Sequence, residues 1–206
     1  MQDHDHGRSA LERLTFFSDA VFAIAMTLLV IEVRVPHVGH GDEHALAQAL
    51  LDLIPNYVGF LVSFIVVGRF WVGHHRVLGL LKSSDARLVW ANLLFLLVVA
   101  FMPFPTAVFS EYVATRVGVG LYAGWLTLLG LLNHHLIATA LRDRRLVRDD
   151  VSDAICAANI RSSWIPVLIG VAALIAGMIT PMLSLAALAL GGPLIGWFVR
   201  RGAPVE

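Results

Sequence analysis

The residues of this chain that could do chemistry are histidines and a few charged groups set among long apolar runs. Two adjacent pairs stand out: His74-His75 in the stretch RFWVGHHR, and His134-His135 after Asn133. Paired imidazoles on two helices could serve as axial ligands of a haem or as metal ligands. Adjacent side chains on a helix point about 100° apart, so one doublet cannot turn both rings to one site, and the spacing favours structural histidines. The segment PHVGHGDEH gathers His37, His40, His44, Asp42 and Glu43. Its chemistry would be divalent-metal binding or pH sensing. The spacing is not that of a ligand set, and a solvated glycine turn accounts for it. The remaining candidate is Asp19, which follows Arg13, Thr15 and Ser18 and precedes a run from Ala20 to Ile31 with no charge. A carboxylate one turn inside a spanning helix needs a partner or water, and is a site candidate for that reason.

The elements that must position these groups are membrane helices. The 206 residues are 58% hydrophobic and only 15% charged, with mean hydropathy +0.77. A soluble domain carries about 25% charge. The formal net charge is zero, so no nucleic-acid partner is expected. A lone Cys156 rules out an internal disulfide or a cysteine metal cage. No CxxC, GxGxxG, Walker, HExxH or GxSxG motif is present, and no nucleophile–base pair suggests an enzyme. There is no TVGYG-like stretch from which to build a carbonyl selectivity filter. The polar start, MQDHDHGRSALER, is a poor signal peptide, and the first helix is expected to be retained.

Six spanning segments are expected, at about 14–33, 53–78, 88–109, 117–141, 163–180 and 183–199, forming one all-α integral-membrane domain over 1–206. Pro103 and Pro105 should kink or unwind the outer half of the third, and Pro181 should separate the last two into a tight hairpin. Twelve of the fifteen basic residues then fall on one side, in the N-terminus, the second and fourth connections and the C-terminus. The positive-inside rule places both termini in the cytoplasm of a multi-pass cell-membrane protein. The arginine-rich linker after the fourth segment is amphipathic enough to lie on an anionic leaflet. Trp90, Trp164 and Trp197 read as interfacial anchors.

On the first helix, Ile24, Thr27 and Ile31 fall on one stripe, with Thr27 its only hydroxyl. Ala20, Ala23 and Ala25 would let neighbouring helices approach closely. The cytoplasmic ends of the first two helices lie at one depth, so Asp19 can meet Trp71, His74 or His75; a cationic neighbour would keep it ionised and tie the helices together. A structural network is favoured there over a proton relay.

The sequence RLTFFSD, Arg13 to Asp19, resembles the RxxxFSD signature of the transmembrane protein 175 family of endolysosomal potassium channels and shorter prokaryotic relatives. The continuation AVFAIAMTLLV and the FWVGHH stretch are similar to that family's first two helices; the last four segments match only in general character. The resemblance implies a potassium-selective cation channel, with potassium ions and the bilayer as partners and no cofactor or metal. Animal members carry two six-helix units; this chain has one and no repeat of the signature, so a homotetramer is implied, its pore lined by the first helix of each of four protomers. The family pattern places the constriction at Ile24, a hydroxyl ring at Thr27 and a second apolar ring at Ile31. It makes Arg13, Phe17, Ser18, Asp19, Trp71, His74 and His75 a polar network bracing the pore helix. An apolar ring can gate by dewetting. The alternatives are a proton-coupled secondary transporter using Asp19 and the histidines, for which no inverted repeat is found, and a membrane haem or metal protein.

Overall fold

The computed structural model describes residues 2–39 and 41–188, the side chains of 2–8 aside. Among them the fold is entirely helical: α1 (Gln2–Leu28), α2 (Glu43–Asp52), α3 (Ile54–Leu78), α4 (Ala86–Ala100), α5 (Pro103–Glu111), α6 (Arg116–Arg142), α7 (Asp153–Ser162) and α8 (Ile165–Ile179). Among the described residues five stretches are long and apolar enough to cross a bilayer: Ser9–Glu32, Ile54–Leu78, Ala86–Glu111, Arg116–Arg142 and Asp153–Ile179. The chain is a multi-pass membrane protein.

Local chemistry explains the boundaries. α1 starts well before the expected residue 14, because Ala10, Leu11, Glu12 and Arg13 are good helix formers, and Leu11 and Leu14 are buried. It tightens to a 3-10 turn over Leu29–Glu32. The histidine-rich loop turns at Gly41, whose φ is +90°, and Asp42 caps α2 by accepting from Ala45 N at 2.8 Å. Pro55 sits in the first turn of α3. Asp85 caps α4 through Leu88 N at 2.8 Å. The third span breaks between Ala100 and Pro103, because Pro103 cannot donate to Val99 O and Pro105 cannot donate to Phe101 O. The same chemistry at Pro166 separates α7 from α8. The segment expected to start at 163 is thus preceded by a helix starting at Asp153. Thr180, before Pro181, is extended (φ −147°, ψ 144°), and the backbone is helical again over 181–188. The rest of the expected sixth segment, with Gly191, Gly192, Pro193 and Trp197, lies outside the described residues.

α6 is the scaffold. It packs on α8, α4 and α5, while α1 lies against α4 and α3. Lipid is as apolar as leucine, so close packing and hydrogen bonds hold such helices together. At the α6–α8 crossing, a Cβ on Gly130 would stand 2.9 Å from Val167 N, and one on Gly170 would stand 2.9 Å from Thr127 Cα. Only glycine permits backbones this close. Three buried hydroxyls join α3, α5 and α6: Ser63 Oγ lies 2.9 Å from Tyr122 Oη and 2.8 Å from Thr106 Oγ1.

The basic end, amphipathic enough to lie on an anionic leaflet, is folded as a cap. The connections after α3 and α6 pair antiparallel at Leu81 and Val147, with Lys82 N donating to Leu146 O at 2.8 Å and Arg148 N to Leu80 O at 2.9 Å. Its charges find local partners: Lys82 with Asp149, Arg144 with Asp153, Arg145 with Asp143 and Arg148 with Asp150. The hydrogen bonds from Arg145 hold the Asp143 carboxyl down at about 2.

Candidate functional site

α1 has two faces that follow from its sequence period. Leu11, Leu14, Ser18, Phe22, Ala25 and Leu29 recur at three or four residues and are buried. Arg13, Phe16, Phe17, Ile24, Thr27 and Ile31 lie on the other side, all exposed. Ile24 is 59% and Ile31 63% exposed, so this stripe makes no part of the core of its own protomer. Thr27 Oγ1 donates to Ile24 O at 2.9 Å. That bond occupies the hydroxyl proton and leaves the oxygen lone pairs free to face a cation.

Behind the stripe, a directional chain of hydrogen bonds links three helices. His74 Nε2 on α3 donates to Asn92 Oδ1 on α4 at 2.8 Å. Asn92 Nδ2 donates to Ser18 Oγ on α1 at 2.9 Å, and Ser18 Oγ donates to Leu14 O at 2.8 Å. Each donor fixes the next: Asn92 can give its amide hydrogen to Ser18 and accept from His74 in one orientation only, which sets the imidazole tautomer. All three side chains are buried. The imidazole lies among Phe22 and Phe95, with ring centroids 5.5 and 5.9 Å away. Its Nδ1 is buried without a hydrogen-bond partner among the described residues.

A second link joins α1 to α3 alone. Trp71 Nε1 donates to Asp19 Oδ1 at 2.8 Å, and His75 packs on Trp71 with centroids 5.9 Å apart. Of the partners expected for Asp19, the one its carboxylate meets is the indole N–H of Trp71. The reason is register: Trp71 stands one turn before His74 and His75 on α3 and reaches α1 at the depth of Asp19. Arg13 makes no hydrogen bond or ion pair among the described residues, and Phe17 is 51% exposed. The structure thus brings together Ser18, Asp19, Trp71, His74 and His75, and leaves Arg13 and Phe17 outside. Asn92 was not anticipated. Its signal is present, as the one amide in the apolar run ANLLFLLVVA, a polar residue at membrane depth.

The other histidines have separate places. His134 Nδ1 lies 2.7 Å from Ser163 Oγ, and its ring is 4.2 Å from that of Trp164, joining α6 to the start of α8. His135 lines a cavity at the basic end of α6. Among the described residues no group of three His, Cys, Asp or Glu side chains is placed to hold a metal.

Residues 13–103 match the family described as "Endosomal/lysosomal potassium channel TMEM175". A potassium channel of Chamaesiphon minutus is 38% identical over 143 residues, 68% of this chain and 70% of that protein. A potassium channel of Streptomyces collinus is 42% identical over 116 residues, 54% of this chain and 55% of its own length. The fold superposes with TM-score 0.80 on the crystal structure of a lysosomal potassium-selective channel TMEM175 homologue from Chamaesiphon minutus, at 32% identity, covering 95% of this chain and 100% of that one.

Proposed function

The chain belongs to the TMEM175 family, a family of ion channels rather than enzymes, and from that membership we propose that it is a potassium-selective channel of the cell membrane working as a homotetramer. In this reading residues 1–206 form one channel domain of six spanning helices, the sixth beginning in the helical stretch 181–188. Both termini lie in the cytoplasm, as the distribution of basic residues favours. α1 of each protomer lines the pore. Ile24 forms the narrowest ring, Thr27 a ring of hydroxyl oxygens one turn outward, and Ile31 a second apolar ring.

The observation that carries this reading is the exposure of the Ile24, Thr27 and Ile31 stripe on a helix whose opposite face is locked into the protomer. A stripe held this rigidly can set a pore radius. The hydrogen bonds from Asn92 to Ser18 and from Trp71 to Asp19 are the braces. Arg13 and Phe17, standing exposed beside the stripe, are assigned to the contact between protomers. A ring of isoleucine cannot replace the water an ion sheds, so it conducts best the ion that sheds water most easily. K⁺ is more weakly hydrated than Na⁺, and the selectivity expected from this device is modest.

The test is ion flux in vesicles with K⁺, Na⁺ and Cs⁺ compared on the same preparation. Wild-type protein should pass K⁺ ahead of Na⁺. Ile24→Asn should wet the constriction and raise Na⁺ flux relative to K⁺, and Thr27→Ala should change the ratio without loss of assembly. Unchanged ratios in both variants would remove α1 from the conduction path.

A further inference from the structure

At the basic end of the fold a cavity of about 470 Å³ opens between α4 and α6, lined by Asp85, Arg87, His135, Thr139, Arg142 and Asp143. The channel mechanism uses none of these residues. His135, Thr139 and Arg142 follow the spacing i, i+4, i+7, which sets them on one face of α6. Arg87 lies one turn from Trp90 on α4. The two carboxylates are engaged: Asp85 Oδ1 accepts from Leu88 N, and Asp143 is held by both ends of the Arg145 guanidinium, at 3.0 and 2.7 Å. Arg87 and Arg142 make no hydrogen bond or ion pair among the described residues. The lining thus holds two guanidinium groups, Arg87 and Arg142, and two carboxylates, of which Asp143 is already paired with Arg145.

We propose that this cavity holds the phosphate of an anionic phospholipid, with Arg87 and Arg142 as its ligands and Thr139 and His135 as supplementary donors. Arginine suits this role because its planar fork meets phosphate oxygens in pairs. A lipid is favoured over a free anion by position. Both helices reach the cavity at their ends, where the apolar spans finish. Trp90, 67% exposed on the same α4 face as Arg87, marks the headgroup level. Basic pockets between spanning helices at this depth take phosphate headgroups. The inference rests on the membrane embedding of the chain and not on conduction, so its test reads lipid retention rather than flux.

Native mass spectrometry of the purified protein, loaded with equal phosphatidylglycerol and phosphatidylcholine of the same acyl chains, is the experiment. Wild-type protein should retain phosphatidylglycerol preferentially. The double variant R87Q/R142Q should lose that retention roughly twenty-fivefold, at about fivefold per basic contact near an anionic surface. R87K/R142K, which keeps the charge and controls for folding, should retain part of it, and Arg116→Gln at the other end of α6 should retain it all. Equal retention of the two lipids would overturn the assignment, as would full retention by R87Q/R142Q. Complete displacement by millimolar inorganic phosphate would reassign the site to a soluble anion and overturn the lipid.

Discussion

Replacing Asn92 by alanine would strip the acceptor from His74 Nε2–H and the donor from Ser18, two buried groups on two other helices. Leaving a buried polar group unpaired costs about 1–3 kcal/mol, so Asn92→Ala should lower the unfolding midpoint in detergent markedly. Trp71→Phe removes one donor from Asp19, which is only half-buried and can turn to water. Its cost should be smaller, about 0.5–1.5 kcal/mol for one intramolecular hydrogen bond. Thermal unfolding of both variants tests the ordering; equal losses would mean that burial does not set the strength of these braces. At this scale the sequence was half legible. Asp19, Ser18, Trp71 and His74 announced themselves as polar groups in apolar surroundings. Which of Trp71, His74 and His75 meets Asp19 was not legible, because the register of α1 against α3 is a tertiary fact, and it selects the indole. Asn92, the one amide in its apolar run, was passed over and is the joint of the network.

Among the elements, the long helices were plain because an apolar run bounded by caps and prolines has few alternatives. The Pro103 break and the stop before Pro181 follow from the missing N–H of proline. α2 and α7 were not foreseen: each is ten residues long, with no apolar run to mark it. The fold of the basic linker was hidden for a related reason. Its amphipathic pattern suits a membrane surface, and nothing in that pattern reveals the antiparallel pairing at Leu81 and Val147 or the local Arg–Asp pairs. The close approach of α6 and α8 was equally invisible, since a glycine in a spanning helix says nothing of which neighbour it meets. It makes a sharp prediction. Gly130→Ala drives a methyl to within 2.9 Å of the α8 backbone, where no flexible side chain can yield, and overpacking costs about 1–3 kcal/mol. Gly124→Ala, where an added Cβ meets nothing within 4 Å, should be neutral or slightly stabilising. Comparison of their unfolding midpoints separates a packing effect from mere helix propensity, which would raise both.

For the whole molecule, the decisive quantity in the proposed tetramer is which helix stands at the symmetry axis. Among the described residues several helices expose apolar faces: Ile24, Thr27 and Ile31 on α1, Leu61 and Ile65 on α3, Leu97 on α4, and Leu168, Ile175 and Met178 on α8, the last three each more than 60% exposed. Apolar exposure cannot separate them, because lipid accepts any of them. The α1 stripe differs in carrying Thr27 and in lying against the hydrogen-bonded braces, where a fixed radius is an asset. Four copies around one axis bring equivalent positions of the pore helix together and hold those of the outermost helices far apart. A Thr27→Cys variant should therefore give linked subunits with a short thiol–thiol reagent in membranes, and Leu168→Cys should not. The native Cys156 is buried against Arg144 and should contribute no background. Addition of the reagent to Thr27→Cys vesicles should also reduce K⁺ flux, since the link crosses the proposed path. Linking at residue 168 without linking at residue 27 would move the axis to α8 and leave the α1 stripe to lipid.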